Sequence, residues 1–226
     1  RALVRAQQPA PWPARIGLGL VAHPRLLAVI GSALRLYQRS GLQRLLRASG
    51  TPRLRRAQRL ESLLPVLPAP LPRGTLHPAL GTRRGRVALF LGCVARVLDA
   101  ETLAAAIRLL TRLGFDVVIP QNQTCCGALQ REAGQSTQAQ ALARQNRAAF
   151  RAAGVDTVIT VASGCGAVLA DSGRPDDTDA EHRVRVLDIH QFLADVALPE
   201  SLTLAALSVT IAVQDPCSLR NALRME

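Results

Sequence analysis

The sequence contains no lysine: all 28 of its basic residues other than histidine are arginine. That absence excludes Schiff-base catalysis of the pyridoxal-phosphate type and removes the lysine of a Walker phosphate loop. Aromatic residues are also scarce, at 3% of the chain. Trp12, Tyr37 and four phenylalanines are too few for a base-stacking platform, and no zinc-finger or RNA-binding spacing is present. Nucleic acid is therefore not an expected partner. No signal peptide or cleavage site is visible. The longest apolar stretch, Ile16–Leu36, is interrupted by His23, Pro24, Arg25 and Arg35. It makes a poor membrane span, which needs about 20 nearly uncharged residues. What remains is 226 residues with a 48% apolar fraction, enough for a hydrophobic core and incompatible with wholesale disorder. The chain starts at Arg1 rather than Met and stops at Glu226 just after a new motif, so it reads as a piece of a longer protein.

Charge divides the chain. Residues 1–86 hold 16 arginines and a single acid, Glu61, whereas residues 87–226 hold 12 arginines and 15 acids. The net charge of +12 is thus a property of the first part alone. That part also carries Pro9, Pro11 and Pro13 around Trp12, and the run Pro65, Pro68, Pro70 and Pro72. The run cannot be helical and suits an extended linker. Leu42, Leu45 and Leu46 among Arg44 and Arg47 form an amphipathic helical pattern. Three readings of this basic segment stay open: a connector with a solvated arginine face, a docking element for an acidic partner, and a contact with an anionic membrane.

From Arg86 the pattern becomes α/β. Val87–Leu91 reads as a strand buried on both faces. A helix follows, capped by Asp99, with Leu103, Ile107 and Leu110 on one face and a stop at Gly114. Phe115–Ile119 is a second strand, ended by Pro120. Ser136 caps a helix running to Ala153, with Gly154 as its stop. Thr157–Val161 is a third strand, Ser172–Ala180 a polar loop, Val184–Leu187 a fourth strand, Asp188–Val196 a short helix, and Ser208–Val213 a fifth strand. Alternation of this kind predicts a parallel sheet. The expected fold is an α/β, parallel-sheet cysteine-rich domain at 86–214, preceded by a helical, proline-rich basic connector at 1–85 and followed at 215–226 by the start of a further unit.

The five cysteines fall on this reading in a definite way. Cys93, Cys125, Cys126, Cys165 and Cys217 each stand just past the carboxyl end of an expected strand, the edge where open parallel sheets bind ligands. Gly92, Gly127, Gly164 and Gly166 adjoin them, and glycine allows close backbone approach to a bound group. Ser163-Gly164-Cys165-Gly166 would also present backbone N–H groups at a helix start. Inert packing of five buried thiols is one alternative and a disulfide another, but an odd cysteine count without secretory features points to a reducing compartment. Neither the paired spacing of zinc sites nor the ferredoxin run is present, so spacing alone leaves zinc and iron open. His23, His77, His182 and His190 are isolated, and no acid–base constellation lies near the cysteines. Asp215 beside Cys217 would either orient a ligand or cap a strand end.

Leu91-Gly92-Cys93, 31 residues later Cys125-Cys126-Gly127, and after 38 more Cys165 resembles the cysteine-rich "CCG" domain. That domain occurs in heterodisulfide reductases, lactate-utilisation proteins and the glycolate oxidase iron–sulfur subunit. Residues 85–96, Cys125–Leu129 and Ala162–Ala167 resemble the last of these most. Asp215-Pro216-Cys217 is similar to the opening of a second copy. The resemblance implies metal ligation by Cys93, Cys125, Cys126 and Cys165 in this copy and by Cys217 at a second, truncated site, with the four glycines cradling the cofactor. It also implies an iron–sulfur cluster of the 4Fe–4S type, with zinc as the alternative. The implied role is electron transfer in a glycolate (2-hydroxy acid) dehydrogenase, from FAD on a flavin-containing partner subunit to a membrane acceptor. The implied location is cytoplasmic, with peripheral contact at the inner membrane. Val168 stands where the family's pattern has another cysteine, so a five-thiolate cluster is not expected in this copy. Two competing functions are a heterodisulfide or thiol–disulfide reductase acting directly through Cys125 and Cys126, and a structural zinc or docking module.

Overall fold

The computed structural model describes residues 11–49, 54–72, 74–171, 184–198, 205–206 and 208–223. Among the described residues the basic segment forms four helices: α1 (Trp12–Ala22), α2 (Pro24–Arg39), α3 (Leu42–Ala48) and α4 (Arg55–Ser62). His23-Pro24 separates α1 from α2 because proline has no N–H to continue the helix and suits its first turn. The two helices bend by 93° at that break. No single helix among the described residues is long and apolar enough to cross a membrane. Glu61, the one acid of the segment, is buried and receives hydrogen bonds from Arg47 Nε at 2.7 Å and from Gln43, which ties α3 to α4. Beyond α4, residues 64–72 run without regular structure, as the prolines dictate. Gln38 and Arg35 of α2 hold this run by bonds to the Pro65 and Pro68 carbonyls, at 2.8 and 2.7 Å.

The remainder is an α/β layer structure. Strands β1 (Leu76–His77), β2 (Gly85–Phe90), β3 (Phe115–Val118), β4 (Thr157–Thr160) and β5 (Arg185–Asp188) form one sheet in the order β1-β3-β2-β4-β5. Four are parallel, and β1 pairs antiparallel with β3. Central β2 buries every side chain from Val87 to Phe90, as a strand covered on both faces must. Its residues alternate between two cores. Val87 and Leu89 face α6 (Ala100–Arg112) and α10 (Ile189–Asp195), meeting Leu103, Leu110 and Phe192. Ala88 and Phe90 face α8 (Ser136–Ala152) and α9 (Ser163–Asp171), meeting Leu142, Phe150 and Leu169, together with Ala22 of α1, Cys125 and Cys126. The short helices α5 (Ala95–Leu98) and α7 (Ala128–Glu132) complete the elements of this layer.

Three expectations are corrected. Ser208–Val213 is not a strand: it pairs with no strand of the sheet, and Val209, Ile211 and Val213 are exposed. An apolar alternation without a partner edge to bond has no reason to remain a strand. The fifth strand is instead Leu76–His77, too short to show a period. Asp99 does occupy the N-cap of α6, but its carboxylate accepts from the Thr102 hydroxyl at 2.7 Å rather than from a backbone N–H. Gln135, not Ser136, is the N-cap of α8. Gly114 and Gly154 end their helices with positive φ, as expected. The loop 172–180 lies outside the described residues.

Candidate metal centre

Two neighbouring strands send their chains to opposite faces of the sheet. After β2 the chain turns towards α5 and α6 on one face, and after adjacent β4 it enters α9 on the other. Such a divergence opens a crevice at the carboxyl ends of the strands. Cys93 lies on the β2 lip and Cys165 on the β4 lip, in the first turn of α9. Cys125 and Cys126 come from the loop after β3. The four sulfurs stand as two contacting pairs, Cys93–Cys125 at 3.5 Å and Cys126–Cys165 at 3.2 Å. All four line one cavity of about 450 Å³, walled mainly by apolar side chains including Leu98, Leu129 and Val161. Cys125 and Cys126 are buried; Cys93 and Cys165 are half-buried.

The fifth cysteine is elsewhere. Cys217 is exposed and follows no strand, and it lines no part of this cavity. It precedes a π-helical turn, Ser218–Ala222, that leans on α9 through a 2.7 Å bond between the Ser218 and Ser163 hydroxyls. Asp215 is likewise exposed. His23, His77 and His190 lie outside the cavity lining, and His182 lies outside the described residues.

The glycines differ in what they do. Gly166 packs against buried Thr160, where a Cβ would stand 2.7 Å from Thr160 Oγ1. Gly127 has φ +86° and would place a Cβ 3.3 Å from the Ala139 backbone. Gly92 has φ +68° and faces the Cys165 sulfur. Gly164 lines the cavity with open space around it. The expected N–H donors at the start of α9 are not the ones that reach sulfur. Gly166 N–H is spent on the Ala162 carbonyl, whereas Gly127 N–H points at Cys125 Sγ, at 3.5 Å.

Four buried polar residues that spacing did not reveal hold the cysteine loop. Gln123 accepts from Leu91 N–H at 2.7 Å and donates to the Leu89 carbonyl at 3.2 Å, pinning the loop to the end of β2. Asn146 accepts from Thr124 N–H at 2.8 Å and donates to the Cys125 carbonyl at 2.9 Å. Thr124 donates its hydroxyl to the Ala22 carbonyl, and Gln130 spans Cys125 and Leu18. A signal for Asn146 exists in the sequence. It sits between Leu142 and Phe150 at four-residue intervals on the buried face of α8, where a polar residue is out of place unless it has partners.

Cys93, Cys125 and Cys126 are held protonated. Contact with Cys125, followed by burial, pushes the Cys93 thiol far up. Contact with Cys126 pushes Cys125 up to about 11. At Cys126 the Cys125 contact pulls down, but contact with Cys165 and burial outweigh it and raise the thiol to about 12. Among the described residues, no three Cys, His, Asp or Glu side chains already stand in ligating geometry. The sulfurs are paired closer than the roughly 3.8 Å edge of a tetrahedral zinc thiolate site. Binding a metal would therefore open the pairs and release protons. The donor set fits a soft, thiolate-preferring group. The adjoining cavity has room for more than one metal atom.

Two family models match the chain: a cysteine-rich domain over residues 87–170, and the linker region of the glycolate oxidase iron–sulfur subunit over residues 11–64. Among curated relatives, a Bacillus subtilis protein named "Probable glycolate oxidase iron-sulfur subunit" is 35% identical, covering 90% of this chain and 49% of its own length. The Escherichia coli glycolate oxidase iron–sulfur subunit is 30% identical, covering 73% of this chain and 42% of its own length. One of the subunits of a Methanothermobacter marburgensis fumarate reductase (CoM/CoB) is 34% identical over 59% of this chain and 26% of its own length. The chain thus spans about half the length, or less, of these relatives. No solved structure matches it.

Proposed function

The chain is a homologue of glycolate oxidase iron–sulfur subunits, carrying their linker region and a cysteine-rich domain, and on that premise we propose that it is the electron-transfer part of a 2-hydroxy-acid-oxidising complex. The observation that carries this reading is the gathering of four thiols from three loops around one apolar cavity, with no acid–base side chain among its lining apart from Asp99 at its rim. A site without a paired general acid and base suits electron passage better than chemistry on substrate.

Cys93, Cys125, Cys126 and Cys165 would hold an iron–sulfur cluster of the 4Fe–4S type, which when bound supplies one-electron redox capacity. Gly127 N–H would stabilise sulfur charge, and Asn146 and Gln123 would fix the loop that presents Cys125 and Cys126. Leu98, Leu129 and Val161 would exclude water. Cys217 belongs to a separate site in this reading. The oxidation of glycolate would take place on FAD in a partner subunit. The division into connector, cysteine-rich domain and the start of a further unit follows from the same reading. The basic helices α1–α4 would carry contact with the partner and peripheral contact with the inner membrane on its cytoplasmic side. Exposed Trp12, Val29 and Leu36 among surface arginines support that assignment.

The thiol–disulfide alternative is disfavoured by the raised thiols, because thiolate is the nucleophile and it is suppressed here. The test is iron, acid-labile sulfide and zinc analysis of anaerobically purified protein, with an electron paramagnetic resonance spectrum after reduction. Iron with equimolar sulfide and a reducible signal is expected. Zinc alone, or turnover of a disulfide substrate without a flavin partner, would overturn the proposal.

A further inference from the structure

The linker and the cysteine loop meet at two buried hydrogen-bonding side chains. Gln130, in α7, has no exposed surface. Its carboxamide nitrogen donates to the Leu18 carbonyl of α1 at 3.1 Å, and its oxygen lies 3.9 Å from Cys125 Sγ, within reach of the thiol proton. Thr124, 1% exposed, donates its hydroxyl to the Ala22 carbonyl at 3.0 Å. Ala22 is the last residue of α1, and its carbonyl is one of the groups a helix end leaves without an internal partner. Thr124 thus caps the last carbonyl of α1, while His23 serves those of Gly19 and Leu20, and it is also the immediate neighbour of Cys125. Ala22 itself packs in the same core as Cys125 and Cys126.

These contacts have a consequence for both sides. A buried donor or acceptor that loses its partner without gaining water costs more than the bond was worth. Lifting α1 would strand Gln130 and Thr124, and the relief for both is to open the loop that carries Cys125 and Cys126. Rearranging that loop would in turn strand the Ala22 carbonyl and take from the Leu18 carbonyl the bond it makes outside its helix. We propose that Gln130 is a positioning residue which, with Thr124, couples docking of the linker helix α1 to the arrangement of the thiols. Cofactor site and linker then respond to each other, as any thermodynamic coupling requires. The inference uses the four thiols but not the identity of the group they hold, so it stands or falls separately from the proposed electron-transfer role.

The experiment uses the full chain, without added metal, in two variants. Gln130→Met keeps the side-chain volume and removes both bonds. Thr124→Val removes only the α1 cap and leaves Gln130 and Cys125 in contact. Tryptic cleavage after Arg15 and Arg25 reports the linker. Labelling of Cys125 and Cys126 by a disulfide reagent, mapped by mass spectrometry, reports the site. Exposed Cys217 serves as the internal reference, and circular dichroism confirms the fold. Both variants are expected to speed linker cleavage and labelling of Cys125 and Cys126 together, Thr124→Val by roughly fivefold, the factor one ordinary hydrogen bond represents, and Gln130→Met by at least that much. In the parent chain, zinc added alone is expected to slow linker cleavage, and Gln130→Met to lose that protection. Thr124→Val that frees the linker but leaves thiol labelling unchanged would overturn the coupling. So would variants that move neither readout. If Gln130→Met fails to fold, Thr124→Val alone decides.

Discussion

Two glycines on one helix are expected to respond oppositely to the same substitution. Gly164 and Gly166 both lie in the first turn of α9 beside Cys165. A Cβ at Gly164 meets nothing within 4 Å, whereas one at Gly166 would stand 2.7 Å from Thr160 Oγ1. Thr160 cannot step aside. It is fully buried, it is β-branched with restricted χ1, and its hydroxyl is aimed at the Leu187 carbonyl at 3.4 Å. Alanine gains up to about 1 kcal/mol over glycine in a helix interior, and less near the first turn. Overpacking a tight site costs about 1–3 kcal/mol. Gly164→Ala is therefore expected to be neutral or slightly stabilising, and Gly166→Ala to be destabilising by up to about 2 kcal/mol net. In a domain of this size that is a fall in Tm of up to about 8 °C. Thr160→Ala in the Gly166→Ala background removes the clashing oxygen and leaves Thr160 Cβ at an ordinary 3.7 Å. The double variant should then be more stable than the two single effects predict, by about 1–2 kcal/mol. Urea melts of the four proteins measure this. Equal stabilities of Gly164→Ala and Gly166→Ala, or strict additivity with Thr160→Ala, would refute the argument that Gly166 is there for close packing under Cys165.

Cys126→Ser should cut bound iron more than about tenfold, since even residues one shell further out cost 10–100-fold. The α/β fold should survive by circular dichroism, and unchanged loading would remove Cys126 from the ligand set. Replacing exposed Arg39, Arg44, Arg55 and Arg56 by glutamine should weaken association with anionic vesicles or the partner at low salt and have little effect at high salt. Arg47 is left out because it bonds buried Glu61. Acid should destabilise the fold through two carboxyls held below their ordinary values. Glu61 is held down by hydrogen bonds from Arg47 and then Gln43, and Asp116 by the Ala79 N–H and then Arg83. Both pKa values are depressed on folding. Their contribution is thus complete above the ordinary values of 4.5 and 3.8, and is lost as pH falls through the lowered folded values. Melts between neutral and strongly acidic pH test the sign, and stability rising on acidification would contradict it.

Much of the layer structure was legible because the central strands have no solvent face. Val87–Leu91, Phe115–Ile119 and Thr157–Val161 read as short apolar runs between glycines and helical periods, and strands form there at Gly85–Phe90, Phe115–Val118 and Thr157–Thr160. Leu76–His77 was not legible, since two residues carry no period and the strand exists only through its pairing with Val117 and Val118. Ser208–Val213 failed in the opposite sense. Its apolar character is real, but a strand is a pairing as well as a pattern, and no strand of this sheet pairs with it.

At the site, what sequence could give was the carboxyl-edge rule applied to glycine-flanked cysteines, and it located Cys93, Cys125, Cys126 and Cys165 at one crevice. It erred at Cys217 because that placement depended on a strand that does not form. It could not give Gln123, Thr124 or Gln130. Each is an ordinary polar residue in a loop or short helix, and each acquires its role only from a distant backbone: Gln123 from β2, Thr124 and Gln130 from α1 more than a hundred residues earlier. A buried amide is specified by groups that need a partner, and those groups are main-chain atoms that every residue has. The cysteines were found because their chemistry is in their identity. The residues that aim them were hidden because theirs is in their position.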